Sequence, residues 1–376
     1  MNIMKIKVLI VINNFGVGGA EHVALQTLLG FQSHPEFEFC AATWDARQDS
    51  PYDQVIQENH LNVHYLNVKE IESGSPLRRK WKNYRLKYRA LENVIREFQP
   101  DVIHVQMSHN VKYACQLAHH YHIPGRCVAL HANPDMVKRS DALFMRLACN
   151  VFHFQTLCLN ESQAQKAVRR YHLKRYSIVH NGMDFGKLEN IREEKAVLRR
   201  TNGIPEDTFV IGFVGRLHTV KNLDFSLKIM QKLKEDKKQF CFVIVGDGEE
   251  RQHLEELTGK MGLKEHVMFL GNRDDAAMLY YCMDVFLLNS VSEAHPLVLM
   301  EAQACGIRCV ISDGVPADAV FAENVSQLQL AQPVSEWARE IWEGGHFLTP
   351  ANRKEDYTME ASRRQLMQVY RKLVFL

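Results

Sequence analysis

The sequence lacks any hydrophobic run long enough to cross a membrane as a helix. Its longest apolar stretches, such as Val8–Ile12 and Val285–Leu288, have the length of a β-strand, whereas a membrane-spanning helix requires about 20 apolar residues. The first of these stretches begins soon after Met1, which leaves no room for a signal peptide. We therefore expect a cytoplasmic protein that is soluble or binds peripherally to the inner face of the plasma membrane.

The sequence also lacks an excess of charge and a pattern of paired cysteines. The 46 Lys and Arg residues nearly balance the 44 Asp and Glu residues, so the formal net charge is only +2. A protein with this balance has no global attraction to nucleic acid. The nine cysteines include no C-x-x-C pair, and an odd number favours a reduced chain over a disulfide framework.

Strand-like apolar runs alternate with helix-period segments along all 376 residues, a length that predicts two domains. The apolar run Val8–Ile12 precedes a helical pattern that starts at Ala20, and Phe209–Gly215 restarts the alternation before a helical pattern that starts at Leu223. This alternation predicts an α/β fold with parallel sheets covered on both faces. The charged stretch 184–208 is interpreted as the link between two Rossmann-like halves.

The glycine-rich segment "NNFGVGGAEHVA" follows the first predicted strand. Gly16, Gly18 and Gly19 permit a sharp turn, and the start of the next helix offers N–H groups to an anion such as phosphate. The segment lacks the third glycine of a dinucleotide fingerprint, because Glu21 stands in its place. A nicotinamide site is therefore disfavoured, and a plain strand–helix turn remains the alternative.

Cations follow a strand of the second half in "FVGRLHTVKN". Arg216 and Lys221 lie where open parallel sheets bind ligands, and together they suit a diphosphate. Two solvated surface cations are the alternative interpretation. His131 likewise follows the run Cys127–Leu130 and could donate a hydrogen bond or shuttle a proton, although most of the 18 histidines must be bystanders.

The segment "RRKWKNYRLKYR", from Arg78 to Arg89, combines seven cations with aromatic residues. Cations near anionic lipid contribute about 1 kcal/mol each, so the segment is a candidate for contact with an anionic membrane surface. A solvated basic helix is equally consistent, and no nucleic-acid-binding signature accompanies the segment.

Two glutamates, Glu293 and Glu301, enclose seven mostly apolar residues in "SEAHPLVLMEAQACG". Pro296 predicts that a helix begins near 294–297, which places Glu293 in the preceding loop and Glu301 inside the helix. The two carboxylates could hold different parts of one ligand at the helix N-terminus. A hydrolase pair is conceivable, but nothing else in the chain marks a glycosidase.

Taken together, these motifs resemble the retaining family-4 glycosyltransferases of the GT-B fold. The family hallmark of two glutamates separated by seven residues matches Glu293 and Glu301, and the resemblance extends over residues 6–320. It is strongest to bacterial enzymes of exopolysaccharide and capsule synthesis. Further motifs in the family's order are "NNFGVGGAEHVA", "IVHNGMD", "VGRLHTVKN" and "VIVGDGEERQHLEELTGKMGLKEHVMFLG".

The resemblance implies a role for each candidate residue. Glu301 would hold the ribose hydroxyls of a nucleotide, and Glu293 would contact the donor sugar. Arg216 and Lys221 would stabilise the diphosphate, while His131 would lie near the transferred sugar. The remaining residues implied in donor binding are Gly16, Gly18, Gly19, Asn181, Gly215, Ala294, His295, Pro296 and Leu297. Relatives usually carry glycine and an apolar residue where this chain has Ala294 and His295, a difference expected to alter which sugar hydroxyls this turn reads.

The resemblance also implies the overall organisation. Two Rossmann-like domains, 1–184 on the acceptor side and 185–355 on the nucleotide-sugar side, would face a central cleft, and a helix in 356–376 would cross back to the first. The donor would be a UDP-sugar and the acceptor a lipid-linked molecule or a polysaccharide. No cofactor or metal is expected, since cationic side chains replace the metal and the chain lacks D-x-D. An epimerase or phosphorylase of the same fold and a non-catalytic sugar-nucleotide binder are the rival hypotheses.

Overall fold

The computed structural model of the chain describes residues 5–16, 18–189, 194–273, 275–344 and 354–375. It contains two compact units, the first made of Met1–Gly182 with Met359–Leu376 and the second of Met183–Thr358. We refer to them as unit 1 and unit 2.

Unit 1 is built on a seven-stranded sheet in the order β3-β2-β1-β4-β5-β6-β7, with every neighbouring pair parallel. The inner strands are almost fully buried, as their unbroken apolar runs predict. The strands are β1 (Ile6–Ile12), β2 (Phe37–Thr43), β3 (Val63–Tyr65), β4 (Val102–Gln106), β5 (Gly125–Ala129), β6 (Gln155–Cys158) and β7 (Tyr176–Ile178). The helices between them are α1 (Gly19–Phe31), α2 (Pro51–Glu58), α3 (Pro76–Phe98), α4 (Val111–His120), α5 (Arg139–Asn150) and α6 (Glu161–Tyr171).

Unit 2 repeats this plan with a six-stranded parallel sheet in the order β10-β9-β8-β11-β12-β13. Its order reverses between β8 and β11, where open sheets of this kind bind ligands. The strands are β8 (Phe209–Val214), β9 (Phe240–Val245), β10 (Val267–Gly271), β11 (Val285–Leu288), β12 (Arg308–Ser312) and β13 (Val325–Leu328). The helices are α7 (Phe185–Glu189), α8 (Lys195–Thr201), α9 (Leu223–Glu235), α10 (Arg251–Lys260), α11 (Ala276–Tyr281), α12 (Leu297–Ala304) and α13 (Val334–Glu343).

The charged stretch 184–208 is not merely a link, because its described residues pack onto unit 2. Leu188 and Leu198 are buried in the core of that unit. Arg199 is buried as well, donates to the carbonyl oxygens of Cys282, Glu206 and Thr208, and forms an ion pair of 2.6 Å with Asp284. The high charge of the sequence concealed this packing, since a buried cation requires tertiary partners that a local pattern does not reveal. Residues 190–193 lie outside the described part.

The last helix, α14 (Met359–Phe375), belongs to unit 1 although it follows unit 2 in the chain. Its Leu366, Val369 and Tyr370 are buried in the core that α1 and α2 form on one face of the sheet. The opposite face carries α3, α4, α5 and α6. Both units thus have helices around a parallel sheet, which confirms the predicted α/β class with two Rossmann-like domains.

Candidate functional site

The reversal of strand order in unit 2 brings Lys221 and Glu293 together. Lys221 ends a short 3₁₀ turn that follows β8, and Glu293 lies in the loop after β11. The Lys221 Nζ is 2.6 Å from the Glu293 Oε1, and only 19% and 12% of the two side chains are exposed. A largely desolvated ion pair at this point presents an ammonium group in a fixed position next to a carboxylate.

Hydrogen bonds of backbone and side-chain amide groups join the loop that carries Lys221 to the loop that carries Glu293. The N–H of Val291 donates to the Val220 carbonyl at 2.8 Å, which joins the two loops. Asn222 and Asn289 each donate a side-chain N–H to the other's carbonyl, at 3.3 and 3.0 Å. The buried Ser226 hydroxyl donates to the Asn289 Oδ1 at 2.7 Å. Asn222 adopts the left-handed conformation (φ 56°) that asparagine tolerates, so the position of Lys221 depends on this paired amide.

Glu301 lies just over one turn into α12 and receives a hydrogen bond of 2.7 Å from the Tyr280 hydroxyl. Burial raises the pKa of the Glu301 carboxyl, while the hydrogen bond from Tyr280 acts in the opposite direction. Sequence reasoning missed Tyr280, because the contact joins α11 to α12 and no local motif marks it. The hydroxyl leaves the second carboxylate oxygen available to accept from a ligand.

The turn before α12 carries three of the predicted donor-binding residues. Pro296, predicted as the first helical residue, is instead the N-cap, and the helix begins one position later at Leu297. The N–H groups of Leu297 and Val298 lie in the first turn, where a helix offers no acceptor of its own, and such groups attract anions. The His295 ring is buried and stacks on Tyr357 at 5.6 Å with an interplanar angle of 24°. His295 therefore braces the turn through ring packing.

Close backbone contact defines the neighbouring wall of the site. Gly215 follows β8 with φ 150°, and Gly246 follows β9 with φ 126°. A Cβ on Gly246 would lie 2.0 Å from the Gly215 carbonyl oxygen, so only glycine fits there. Arg216 follows directly with its side chain 70% exposed, and its guanidinium pairs with Glu249 at 3.2 Å. An ion pair this exposed to solvent is weak, which leaves Arg216 available to an anion.

The remaining predicted residues lie in unit 1, at the carboxyl ends of β1, β5 and β7. The loop after β1 is organised by Asn14, whose Oδ1 accepts the Gly16 N–H at 2.9 Å and whose Nδ2 donates to Asp45. Gly18 is the N-cap of α1, and the Glu21 carboxylate folds back against it, since a Cβ on Gly18 would lie 2.3 Å from the Glu21 Oε2.

A series of hydrogen bonds connects His131, which follows β5, to buried residues of unit 1. The His131 Nε2 is 2.5 Å from the Gln106 Oε1, the Gln106 Nε2 is 3.3 Å from the His104 Nε2, and the His104 Nδ1 is 2.7 Å from the Tyr370 hydroxyl. Burial lowers the pKa of His131 to about 4. A neutral His131 that donates from Nε2 to Gln106 keeps Nδ1 as an acceptor. Gln106, His104 and Tyr370 were all missed at the level of sequence.

Asn181 is buried after β7, next to Gly182. A Cβ on Gly182 would lie 2.8 Å from the Met359 Cα, so this turn accommodates the start of α14. The contact explains the Asn181-Gly182 turn structurally. Its predicted part in donor binding stays a prediction.

Neither a metal cluster nor a membrane span is found in the described ranges. No group of three or more His, Cys, Asp or Glu side chains is placed to hold a metal ion. None of the helices described has both the length and the apolar composition that a membrane crossing requires. The metal-free site stays a prediction.

Comparison with known proteins finds a family match within unit 2. Residues 194–343 match the family model of glycosyl transferases group 1. Over 151 residues the chain is 40% identical to the putative glycosyltransferase EpsF of Bacillus subtilis, which is 40% of this chain and 38% of EpsF. Over 162 residues it is 29% identical to UDP-Gal:alpha-D-GlcNAc-diphosphoundecaprenol alpha-1,3-galactosyltransferase of Escherichia coli, covering 42% of each chain. The match thus spans about two fifths of these relatives.

Solved structures extend the likeness in fold to both units. Anabaena HepE, in complex with UDP-glucose, superposes with a TM-score of 0.79 at 18% identity over 97% of this chain and 99% of HepE. The lipopolysaccharide outer core galactosyltransferase WaaB superposes with a TM-score of 0.70 at 15% identity, over 97% and 99%. These comparisons confirm the GT-B fold class and the resemblance to bacterial glycosyltransferases.

Proposed function

We propose that the chain transfers a sugar from a nucleotide-sugar donor, a UDP-sugar, to a lipid-linked or polysaccharide acceptor, with retention of the anomeric configuration. The names of its relatives support this proposal, because the Escherichia coli protein is a UDP-Gal-dependent transferase that acts on a diphosphoundecaprenol-linked sugar. The complex of HepE with UDP-glucose supports a uridine nucleotide as the donor. Surface polysaccharide synthesis at the cytoplasmic face of the membrane is the proposed setting.

The ion pair between Lys221 and Glu293 at the strand reversal of unit 2 is the observation that carries the proposal. A sugar diphosphate places negative charge beside sugar hydroxyls, and this pair offers a cation beside an acceptor. In the proposed site the diphosphate would lie against Lys221, Arg216 and the first turn of α12. Glu293 would accept from a sugar hydroxyl, and Glu301 would accept from the ribose.

The chemistry assigned to these groups follows from the charge that develops during transfer. Negative charge builds on the diphosphate as its bond to the sugar lengthens, and preorganised cations stabilise that charge without reorganisation. The partly buried Glu293 holds Lys221 in place before the donor binds. We infer that no metal is needed for this step, and a chelator should leave turnover unchanged.

Residues of unit 1 would position the donor sugar and its phosphate. His131, neutral at physiological pH because of its lowered pKa, would accept a hydrogen bond from a hydroxyl of the transferred sugar through Nδ1. The loop 16–19 would approach the phosphate or the reacting sugar. Asn181 and Gly215 would complete the donor contacts implied by the family resemblance.

A panel of sugar nucleotides tests the proposal directly. UDP and its sugar derivatives should raise the melting temperature of the wild type, and one derivative should be hydrolysed slowly or transferred to an added acceptor. Lys221→Ala and Glu301→Ala should abolish the stabilisation, whereas Lys228→Ala, which removes an exposed lysine of α9, should not.

Other outcomes would favour the rivals. Binding of UDP without hydrolysis or transfer of any sugar nucleotide would support a binding protein. Isomerisation of the donor would support an epimerase, and release of a sugar phosphate in the presence of inorganic phosphate would support a phosphorylase. An α-anomeric donor that gives a β-linked product in the proton NMR spectrum would overturn retention.

A further inference from the structure

Helix α5 of unit 1 is apolar on the side that faces solvent. Leu143 and Val151 (the residue after the helix) are 56% and 58% exposed, and Phe144 and Leu147 are exposed as well. We call these four residues the α5 outer face. A surface helix normally presents polar residues to water, and exposed large apolar side chains gathered on one side of a helix mark an interaction site.

Helix periodicity shows that the outer face is distinct from the core contact of α5. The core side is formed by Ala142, Met145 and Ala148, all of which are buried. At 3.6 residues per turn, Leu143 and Leu147 fall on the opposite side, and Phe144 lies beside them. The flanking cations Lys138, Arg139 and Arg146 are exposed. The outer face is therefore an apolar strip with a basic border.

The first half of α3, residues 76–89, supplies a second basic surface on the same face of the sheet. It contains seven cations and no carboxylate, and Leu77 and Trp81 are 83% and 58% exposed. The Arg85 guanidinium stacks over the Trp81 ring at 4.7 Å. Only Lys87 among the seven forms an ion pair, with Glu70 at 2.5 Å, as far as the described residues show.

Helices α3 and α5 flank α4 on one side of the sheet, because α4 packs against both of them. Helix α3 leads into β4, and α5 follows β5. Since a crossover helix runs antiparallel to the strands it connects, both helices begin near the carboxyl edge of the sheet. Tyr84 of α3 accordingly stacks on Tyr113 of α4 at 5.5 Å. The basic half of α3 and the start of α5 thus share one end of one face.

We propose that this face docks on an anionic lipid bilayer, with the α5 outer face inserted in the interfacial region and the first half of α3 on the headgroups. The sequence predicts lipid contact only for residues 78–89, so the contact through α5 is an addition. Binding to the bilayer would not require that the chain transfers a sugar. Charge complementarity favours a lipid bilayer over a second copy of the chain as the partner of this face. A second copy seated by two-fold symmetry would bring these uncompensated cations against their equivalents, whereas anionic headgroups neutralise them.

Vesicle flotation of the full chain tests this proposal. The wild type should float with vesicles of phosphatidylcholine and phosphatidylglycerol and should remain unbound with phosphatidylcholine alone. Replacing Leu143 and Phe144 by Gln should weaken binding about tenfold, because the inserted apolar surface is lost. Replacing Arg78, Arg79 and Lys80 by Gln should weaken it about a hundredfold at low salt, since each cation near the surface contributes about 1 kcal/mol.

Matched substitutions in unit 2 provide the controls. Val197→Gln removes an exposed apolar residue of α8, and a triple Gln variant of Lys228, Lys237 and Lys264 removes three exposed cations. Both should float like the wild type, and all variants should keep their stabilisation by UDP. Unchanged flotation of the Leu143 and Phe144 variant would overturn the proposal. So would a concentration-dependent dimer in light scattering that this variant abolishes, because the face would then join two copies.

Discussion

The Lys221 ammonium and the Glu293 carboxylate lie 2.6 Å apart although 72 residues separate them in the chain. Each comes from a loop that follows a strand, and the two strands are neighbours where the order of the sheet reverses. Both side chains are mostly withdrawn from water, so each depends on the other for its charge to be compensated. Their coupling is the first property to test.

We expect Lys221→Ala and Glu293→Gln to be strongly non-additive. Each single change should lower kcat/KM by about a hundredfold, as the loss of a preorganised charge at a reacting centre does. The double variant should be hardly slower than either single one, because one broken pair already removes the arrangement. The rates of donor hydrolysis by the wild type, the two single variants and the double variant measure this double-mutant cycle, with Lys228→Ala as the control. Additive losses would show that the two groups act separately.

Tyr280→Phe should weaken UDP binding most at acidic pH. The Tyr280 hydroxyl counteracts the burial that raises the pKa of Glu301, so its removal should raise that pKa further and protonate the carboxyl at higher pH. A hydrogen bond to a charged group contributes about 1.5–3 kcal/mol, which corresponds to roughly tenfold or more in affinity. Calorimetric titration of UDP across pH measures the effect. Tyr281→Phe is the control, because it removes a hydrogen bond to the Leu188 carbonyl instead, and it should leave the pH profile of UDP binding intact. Identical profiles for the wild type, Tyr280→Phe and Tyr281→Phe would refute the role of Tyr280.

Gly246→Ala should destabilise unit 2 by about 3 kcal/mol or more, because the new Cβ meets the Gly215 carbonyl oxygen and φ is 126°. Gly19→Ala is the matched change in unit 1, where a Cβ meets nothing within 4 Å at the first position of α1. It should be neutral or stabilise by about 0.5 kcal/mol, since alanine favours helix. Thermal melts compare the two, and equal melting temperatures would contradict the predicted steric conflict.

Acid should destabilise unit 1 through its buried histidines. Burial, with a smaller effect of nearby His131, lowers the pKa of His104 to about 3, and burial lowers that of His131 to about 4. In the unfolded chain both titrate near 6.5. As pH falls below about 6.5, the unfolded chain binds protons that the folded unit refuses, so the free energy of unfolding decreases, by about 3 kcal/mol per histidine at pH ~4.

Hydrogen exchange of the β4 and β5 amides, corrected for intrinsic rates, measures this dependence. His104→Gln removes one of the two titrating groups and should make the dependence on pH shallower. His120→Gln, at an exposed histidine of α4, should not alter it. A pH dependence that is the same in wild type and His104→Gln would exclude His104 as the source.

The sequence predicts the centre of each sheet better than its edges. Buried inner strands such as β1, β8 and β9 are continuous apolar runs, and a run of that length between turn residues is typical of a strand covered on both faces. The edge strands β3 and β13 are only three and four residues long and partly exposed, so their apolar pattern is too short to recognise. The helical patterns that start at Ala20 and Leu223 correspond to α1 and α9, because a 3.6-residue periodicity of apolar residues records burial on one side of a helix.

The residues of the candidate site likewise divide into those that a local sequence pattern predicts and those that it does not. Lys221, Glu293 and Glu301 could be predicted because they stand at fixed distances from strand ends and a helix start. Tyr280, Asn289 and Gln106 contribute through contacts between elements, and such contacts leave no local pattern. Asn289 and Gln106 nevertheless follow or end a buried strand, and the rule that polar residues at carboxyl ends merit attention would have found both.

The place of Tyr370 in the core of unit 1 has a consequence for biosynthesis. Its ring packs beside Phe37 and Phe39, and its hydroxyl bonds to His104, yet the ribosome adds it only after all of unit 2. Until then, the apolar surface that α14 covers on unit 1 is exposed, while every residue of unit 2 is already present. Unit 1 therefore cannot complete its core before the residues of unit 2 have been synthesised, which departs from the usual N-terminal order of folding.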